Sequence, residues 1–239
     1  MGGWKNFICA LAFLFTQNSH ASPILIGHNL TPTSYVLPEG EFTLGTYAVA
    51  YGVTERWTLA TSPWLIINYN MPVITSKLLL FGLEGPQSLT LETSYFKTFP
   101  YLMNMYEQES FFVRLIATQR FTSYYALHFC GGIQYFINQH IPYSLHINKH
   151  QTGHMTTSFS MLNELFFTQQ LGFFLEAGVL GLNYPEPYSH LGASVFLRFQ
   201  TWMIQAGISV SSIIGEPNPF TYHGQRQLIH PEMQLQFTL

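Results

Sequence analysis

Residues 202–211 have the sequence WMIQAGISVS, in which apolar and polar side chains alternate with a period of two. Successive side chains of a β-strand point to opposite faces, so this stretch predicts a strand with one apolar and one polar face. The apolar face consists of Trp202, Ile204, Ala206, Ile208 and Val210. A strand of this kind fits a sheet whose two faces meet different environments.

The same alternation recurs, interrupted by turns, from about Phe42 to the last residue. Short turns are predicted near residues 52–55, 85–87, 120–122, 168–170 and 200–201. Longer links are predicted near residues 69–74, 99–110, 137–155, 183–189 and 213–227. These breaks divide the chain from Glu41 onward into eleven predicted strands. Because short and long connections alternate, the strands run up and down, with all the short turns at one end.

Composition indicates what the apolar face contacts. The chain is 47% hydrophobic and 16% aromatic but only 9% charged, whereas a soluble domain carries about 25% charged residues. Beyond Ser22, no apolar run reaches the roughly 20 residues of a membrane-spanning helix. Alternation and composition together predict an all-β fold, a transmembrane antiparallel up-and-down β-barrel with lipid outside and a polar lumen.

The strand count follows from parity. Barrels formed by one bacterial chain have an even number of strands, and eleven strands do not satisfy this rule. We therefore predict one further strand between Pro23 and Leu37, which gives about twelve. Ten is the alternative if two weaker segments are not strands.

The N-terminus predicts export. Residues 1–21 have the pattern of a signal peptide, with Lys5 as the positive charge, an apolar stretch at 7–15 and a small-x-small cleavage site at 19–21. Residues 22–239 would then form the barrel. That part retains one cysteine, Cys130, so no intramolecular disulfide is predicted. The net charge of −3 provides no basic surface for nucleic acid.

Two segments carry a resemblance to known proteins. Residues 51–59, YGVTERWTL, preceded by residues 37–42, LPEGEF, resemble the first hairpin of many small Gram-negative outer-membrane β-barrel proteins, which are porin-like or transporter-like. The final residues 233–239, MQLQFTL, are similar to the C-terminal sorting strand of such barrels. The resemblance implies location in the cell outer membrane, contact with outer-membrane lipid, and recognition by the barrel-assembly machinery during biogenesis.

Charged residues that share the polar face of the predicted strands are candidates for the lumen. They are Glu84, Glu92, Arg114, Glu164, Glu176, Arg198 and Glu232. A charge survives inside a barrel because it meets lumen water or another charge, whereas Arg or Lys facing lipid costs about 2–4 kcal/mol at the midplane. The excess of Glu over Arg predicts a cation-preferring constriction. A network of ion pairs that closes the lumen is the equal alternative.

Other residue patterns suggest chemistry less directly. The link 137–155 contains His140, His146, His150 and His154. Imidazole binds zinc, copper or nickel, so metal capture is one interpretation, although we favour a solvated polar loop with no metal. Asp is absent from the chain, and Ser189-His190 is the one adjacent Ser-His pair after residue 21. A lipid-modifying barrel enzyme built on that pair is the least favoured of our hypotheses.

These observations favour a non-enzymatic protein. We expect a monomeric barrel without cofactor that acts as a narrow channel or small-solute transporter for ions or other small solutes. The alternative is a closed structural or surface-interaction barrel. A lumen of twelve strands lies between filled eight-stranded barrels and open porins of 16–18 strands, so size alone does not decide between the two.

Overall fold

The structure is a computed structural model that describes residues 32–46, 48–63, 66–67, 71–83, 85–97, 107–140, 154–183, 188–199, 201–211 and 229–239. The described residues form twelve strands in one closed sheet, in which each strand pairs antiparallel with its neighbours and β12 pairs with β1. The strands are β1 Phe42–Gly45, β2 Val49–Thr54, β3 Trp57–Thr61, β4 Val73–Phe81, β5 Gln87–Lys97, β6 Glu107–Thr122, β7 Tyr125–His140, β8 His154–Phe166, β9 Leu171–Leu180, β10 Tyr188–Arg198, β11 Trp202–Ser211 and β12 Ile229–Thr238. The predicted all-β, twelve-stranded up-and-down barrel is confirmed.

The two ends of the barrel differ in their connections. Short turns join β2 to β3, β4 to β5, β6 to β7, β8 to β9 and β10 to β11 at one end, which we call the turn end. The C-terminus lies there as well, where Leu239 N donates to Phe42 O at 2.8 Å. We call the opposite end of the barrel, where β1 is joined to β2, the loop end.

The twelfth strand is not where the sequence analysis placed it. The prediction of a strand between Pro23 and Leu37 is wrong for residues 32–37, which belong to no strand of the barrel, while residues 23–31 lie outside the described residues. Instead, the first predicted strand is a hairpin of β1 and β2, in which Phe42 pairs with Tyr51. Gly45 N donates to Ala48 O at 2.8 Å across the turn. The turn contains no Pro, Asn or Asp, which explains why the sequence pattern did not reveal it.

The two faces of the wall follow the predicted alternation. On β7, Phe129, Ile133 and Tyr135 are exposed, whereas His128 and Cys130 are buried in the lumen. This inside-out arrangement, with exposed apolar side chains and buried polar ones, recurs on the other described strands. Among the residues that the structure describes, no helix is long and apolar enough to cross a membrane.

Two exceptions to the alternation lie side by side on β8. Asn163 is on the outer face, where its side-chain oxygen accepts a hydrogen bond of 3.0 Å from the Tyr125 hydroxyl of β7. Leu162 is on the inner face and belongs to an apolar cluster that also contains Phe174, Phe196 and Met203. This cluster fills part of the lumen near the turn end.

Gly207 gives a test of the register between β10 and β11. It pairs with Ser194, and a Cβ atom on Gly207 would lie 2.4 Å from the Ser194 Cβ and 2.5 Å from Ala193 O. Overpacking of this kind costs about 1–3 kcal/mol. We expect Gly207→Ala to lower the free energy of unfolding by that amount, measured by urea titration of the protein in lipid vesicles.

The matched control is Gly131→Ala on β7, because no atom lies within 4 Å of the position its Cβ would take. Equal stability of the two alanine variants would contradict the register.

Candidate functional site

Residues 32–38, which we call the lumen segment, lie inside the barrel wall. Thr33, Ser34 and Leu37 are fully buried. Leu37 packs against Ala50 of β2, while Tyr35 reaches Glu164 of β8 on another part of the wall. The lumen segment therefore crosses the interior of the barrel.

The chain enters the lumen at the turn end through two glycines. Gly40 has a φ of +80°, a backbone conformation that glycine adopts without the Cβ penalty, and its N–H donates to Gly52 O at 2.8 Å. A Cβ on Gly52 would lie 1.8 Å from Pro38 O. The missing side chain of Gly52 thus allows the lumen segment to pass directly over β2.

Wall side chains bond to the backbone of the lumen segment. Thr90 Oγ1 donates to Ser34 O at 2.6 Å and Lys77 Nζ to Thr33 O at 2.7 Å. The N–H of Leu37 donates to Thr58 Oγ1 at 2.8 Å. Buried backbone groups need such partners, and here side chains of β3, β4 and β5 supply what a neighbouring strand would otherwise provide.

The side chain of Ser34 continues this contact. Its hydroxyl donates to Thr118 Oγ1 at 2.5 Å and shares a hydrogen bond of 2.6 Å with the Ser88 hydroxyl. These three hydroxyl groups join the lumen segment to β5 and β6. The wall at this point is therefore hydrophilic.

Tyr35 connects the lumen segment to the charges of the interior. Its hydroxyl donates to Glu164 Oε2 at 2.5 Å and accepts a hydrogen bond of 3.1 Å from the Arg120 guanidinium. Burial, reinforced by the neighbouring Glu164 carboxylate, raises the pKa of the Tyr35 phenol. The phenol therefore stays protonated and remains a hydrogen-bond donor to Glu164.

His128 lies between a hydroxyl and a carboxylate. Its Nδ1 is 2.6 Å from Thr118 Oγ1 and its Nε2 is 3.2 Å from Glu164 Oε2. Hydroxyl, imidazole and carboxylate in this order are the groups of a catalytic triad, in which the imidazole accepts the hydroxyl proton. However, His128 and Glu164 are both 0% exposed, and the Tyr35 ring packs edge-on to the imidazole at 5.3 Å. While the lumen segment is in place, this chain of groups has no room for a substrate.

A second group of charges lies on β4, β5 and β6. Glu92 forms ion pairs with Arg114 and with Lys77, whose Nζ is 3.9 Å from the carboxylate. The Arg114 guanidinium also lies over the Phe112 ring, 4.6 Å from its centroid. Since Lys77 bonds to the lumen segment as well, it couples this ion-pair group to residues 33–35.

The structure places the predicted lumen charges as follows. Glu92, Glu164 and Glu176 are buried on the inner face, and Glu176 Oε1 is 3.5 Å from His190 Nε2. Arg114 pairs with Glu92, and the Arg198 guanidinium lies over the Phe166 ring, 4.8 Å from its centroid. Glu84 lies outside the described residues, and Glu232 is in β12 with only its backbone described.

Sequence reasoning missed the central members of the site. Lys77 has the inward parity of β4, but the run of Leu residues after it hides the alternation. Tyr35 was assigned to a strand rather than to the lumen. The predicted turn at residues 120–122 would place Arg114 opposite His128, because the two residues are equally distant from its centre. In the structure Arg114 pairs with Gly132 and Thr118 pairs with His128.

The predicted metal and catalytic candidates are not brought together in the described part of the chain. His140 ends β7 and His154 begins β8, with their side chains outside the described part, while His146 and His150 lie outside it entirely. Within the described ranges, no group of three or more His, Cys, Asp or Glu side chains is placed to hold a metal. Ser189 is exposed and His190 is buried, because neighbours in a strand point to opposite faces.

Comparison with known proteins leaves the fold and the lumen as the basis for function. No protein-family model matches the chain, and no curated protein matches it either. The assignment of function therefore rests on the barrel wall, the lumen segment and the charges around it.

The Tyr35 hydroxyl provides a test of the interior network. We expect Tyr35→Phe to lower the free energy of unfolding by about 1–3 kcal/mol, because the buried Glu164 carboxylate loses a donor and the exposed Arg120 guanidinium loses an acceptor. Urea titration in lipid vesicles measures this change. Tyr51→Phe is the control, since Tyr51 is exposed on the outer face. Unchanged stability of Tyr35→Phe would contradict the network.

Proposed function

We propose that this protein is an outer-membrane β-barrel that acts as a narrow passage for small solutes and is closed at rest by its own lumen segment. The observation that carries the proposal is the hydrogen bonding of Ser34 and Leu37 to small polar side chains of the wall. The protein would act as a monomer in outer-membrane lipid, after export and insertion by the barrel-assembly machinery.

The outer face supports the membrane location. The charged side chains in the middle of the described strands all point inward, and they are Lys77, Glu92, Arg114, Glu164 and Glu176. Exposed aromatic side chains lie near the turn end, among them Tyr51, Trp57, Tyr124 and Phe237. Aromatic residues concentrate at the two interfaces of a membrane barrel. We assign the turn end to the periplasm, because short turns are periplasmic in such barrels.

The lining of the wall supports a passage. Around the lumen segment the inner face carries small polar side chains, including Thr58, Ser88, Thr90 and Thr118, which bond to the segment. Side chains of this size do not fill the interior of a twelve-stranded barrel by themselves. Withdrawal of the lumen segment would therefore leave a hydrophilic opening through this part of the barrel.

The way the lumen segment is held supports reversible opening. Half of its bonds to wall side chains join neutral groups, and each of these contributes about 0.5–1.5 kcal/mol net. The other half involve Lys77, Glu164 or Arg120, and each of these contributes about 1.5–3 kcal/mol. Ordering each residue of the segment costs about 1–2 kcal/mol of backbone entropy. These two contributions oppose each other, so that a modest change in the interior contacts shifts the balance between the closed and open states.

The charges of the interior do not support ion selectivity. The prediction of cation preference relied on more Glu than Arg. Among the described residues of the inner face, Glu92, Glu164 and Glu176 are joined by Lys77, Arg114 and Arg198. The two signs are balanced and largely paired, so the proposed passage has no assigned charge preference.

A permanently closed structural barrel is the second candidate, which the buried Phe174–Phe196 contact at 4.5 Å favours.

Opening of the lumen tests the proposal. The protein is recovered from the outer-membrane fraction and inserted into a planar bilayer. We expect the triple variant Thr33→Gly, Ser34→Gly, Tyr35→Gly to raise the time-averaged conductance at least about tenfold over wild type, because the side chains that hold the lumen segment are lost and water fills the pore.

The matched control is Glu39→Gly, which changes an exposed residue outside the lumen. Heat-modifiable mobility on a gel shows that each variant is folded. A folded triple variant as silent as wild type would exclude the passage and favour the structural barrel.

A further inference from the structure

On one side of the barrel wall, the described strands are too short to cross a bilayer. Strands β1, β2 and β3 have 4, 6 and 5 residues, whereas a strand that spans the hydrocarbon needs about 9–11. The other nine strands have between 9 and 16 residues. In the part of the chain that the structure describes, the wall formed by β1 to β3 is therefore shorter than the hydrocarbon, on the side of the loop end.

The edge of β12 shows where the wall is interrupted. On one side β12 pairs with β11 from Ile229 to Phe237. On the other side its ladder with β1 covers Gln236 to Thr238, and the last backbone bond runs from Thr46 N to Leu235 O at 2.9 Å. In the described part of the chain, no strand pairs with this edge beyond Leu235.

Pro231 lies on that edge, and its backbone nitrogen is on the side away from β11. Thr238 N donates to Thr201 O at 2.7 Å, so even-numbered residues of β12 bond to β11. Leu239 N donates to Phe42 O at 2.8 Å, so odd-numbered residues bond toward β1. Proline has no N–H and occurs in a sheet where that side has no strand partner. Pro231 thus independently indicates an open edge, and it opposes pairing with a strand from another molecule.

The gap between the β12 edge and the β1–β2 hairpin has apolar side chains on its outer side and polar side chains on its inner side. Leu44 and Met233 expose 48% and 67% of their surface on its outer side. Thr43, Gln234 and Gln236 are buried on the inner side. A molecule at this position would meet lipid on one side and neutral hydrogen-bonding groups on the other. An amphipathic molecule with an acyl chain fits both environments.

We propose that the gap between β12 and the β1–β2 hairpin is a lateral opening through which acyl-chain-bearing molecules of the outer leaflet reach the lumen. This inference rests on the proposed function and specifies its substrate class. The acyl chain stays in lipid, and the polar head group passes between Gln234 and the turn at residues 45–48. Under the proposed orientation the opening faces the outer leaflet, because it lies toward the loop end.

The test compares two maleimides on single cysteines in lipid vesicles, in a Cys130→Ala background. N-dodecylmaleimide partitions into the bilayer, whereas N-ethylmaleimide arrives from water, and the ratio of their rates reports access from lipid. Gln234→Cys and Ala48→Cys place the thiol at the opening on the inner face. Ser94→Cys is the matched control, because Ser94 is equally buried but lies on β5. Met233→Cys, on the outer face, confirms that the dodecyl reagent is active.

We expect the rate ratio at Gln234→Cys and Ala48→Cys to exceed that at Ser94→Cys by at least about tenfold, because thiol modification follows access. Ratios at both positions that equal the Ser94→Cys ratio, while Met233→Cys reacts, would overturn the lateral opening. The conductance of the glycine triple variant does not depend on this route. If the maleimide rates show a closed side wall while the triple variant conducts, the lateral opening is rejected and the proposed function is not.

Discussion

In the membrane location that we propose, every backbone polar group of the barrel wall needs a hydrogen-bond partner within the protein, and the rest of this structure depends on that constraint. In hydrocarbon no water replaces a missing partner. Closure of β12 onto β1 provides these partners at the turn end, where Phe42 and Leu239 exchange both of their backbone bonds. The short β1 strand limits this closure to three residue pairs and, in the described part of the chain, leaves the β12 edge unpaired toward the loop end.

The same constraint determines the interior. A wall that turns its apolar side chains outward must turn its polar ones inward, and these need partners too. The lumen segment supplies them. Ser34 bonds to β5 and β6, Tyr35 bonds to β6 and β8, and Lys77 joins the backbone of the segment to the ion pair of Glu92. The lumen segment, which closes the proposed passage, thus also makes the main polar contacts between opposite parts of the wall.

The alternation of apolar and polar side chains predicted the barrel fold, but it did not predict which residues meet inside the lumen. Alternation within single strands identified the closed sheet and the parity of Glu92, Glu164 and Glu176, because the side on which a residue points depends on its immediate neighbours. The contact between Tyr35 and Glu164 joins residues 129 positions apart, and nothing near Tyr35 in the sequence specifies it. The hairpin at Gly45–Ala48 was missed because its turn carries no Pro, Asn or Asp.

The most direct test of the central claim, that residues 32–38 cross the lumen, is a disulfide between Ser34→Cys and Ser88→Cys in a Cys130→Ala background. The two native hydroxyl oxygens are 2.6 Å apart, which suits a disulfide between the replaced side chains. The account predicts that the folded barrel forms this bond under mild oxidation, whereas Ser34→Cys with Ser76→Cys, on the outer face of β4, forms none. A folded barrel in which neither pair closes would contradict the account.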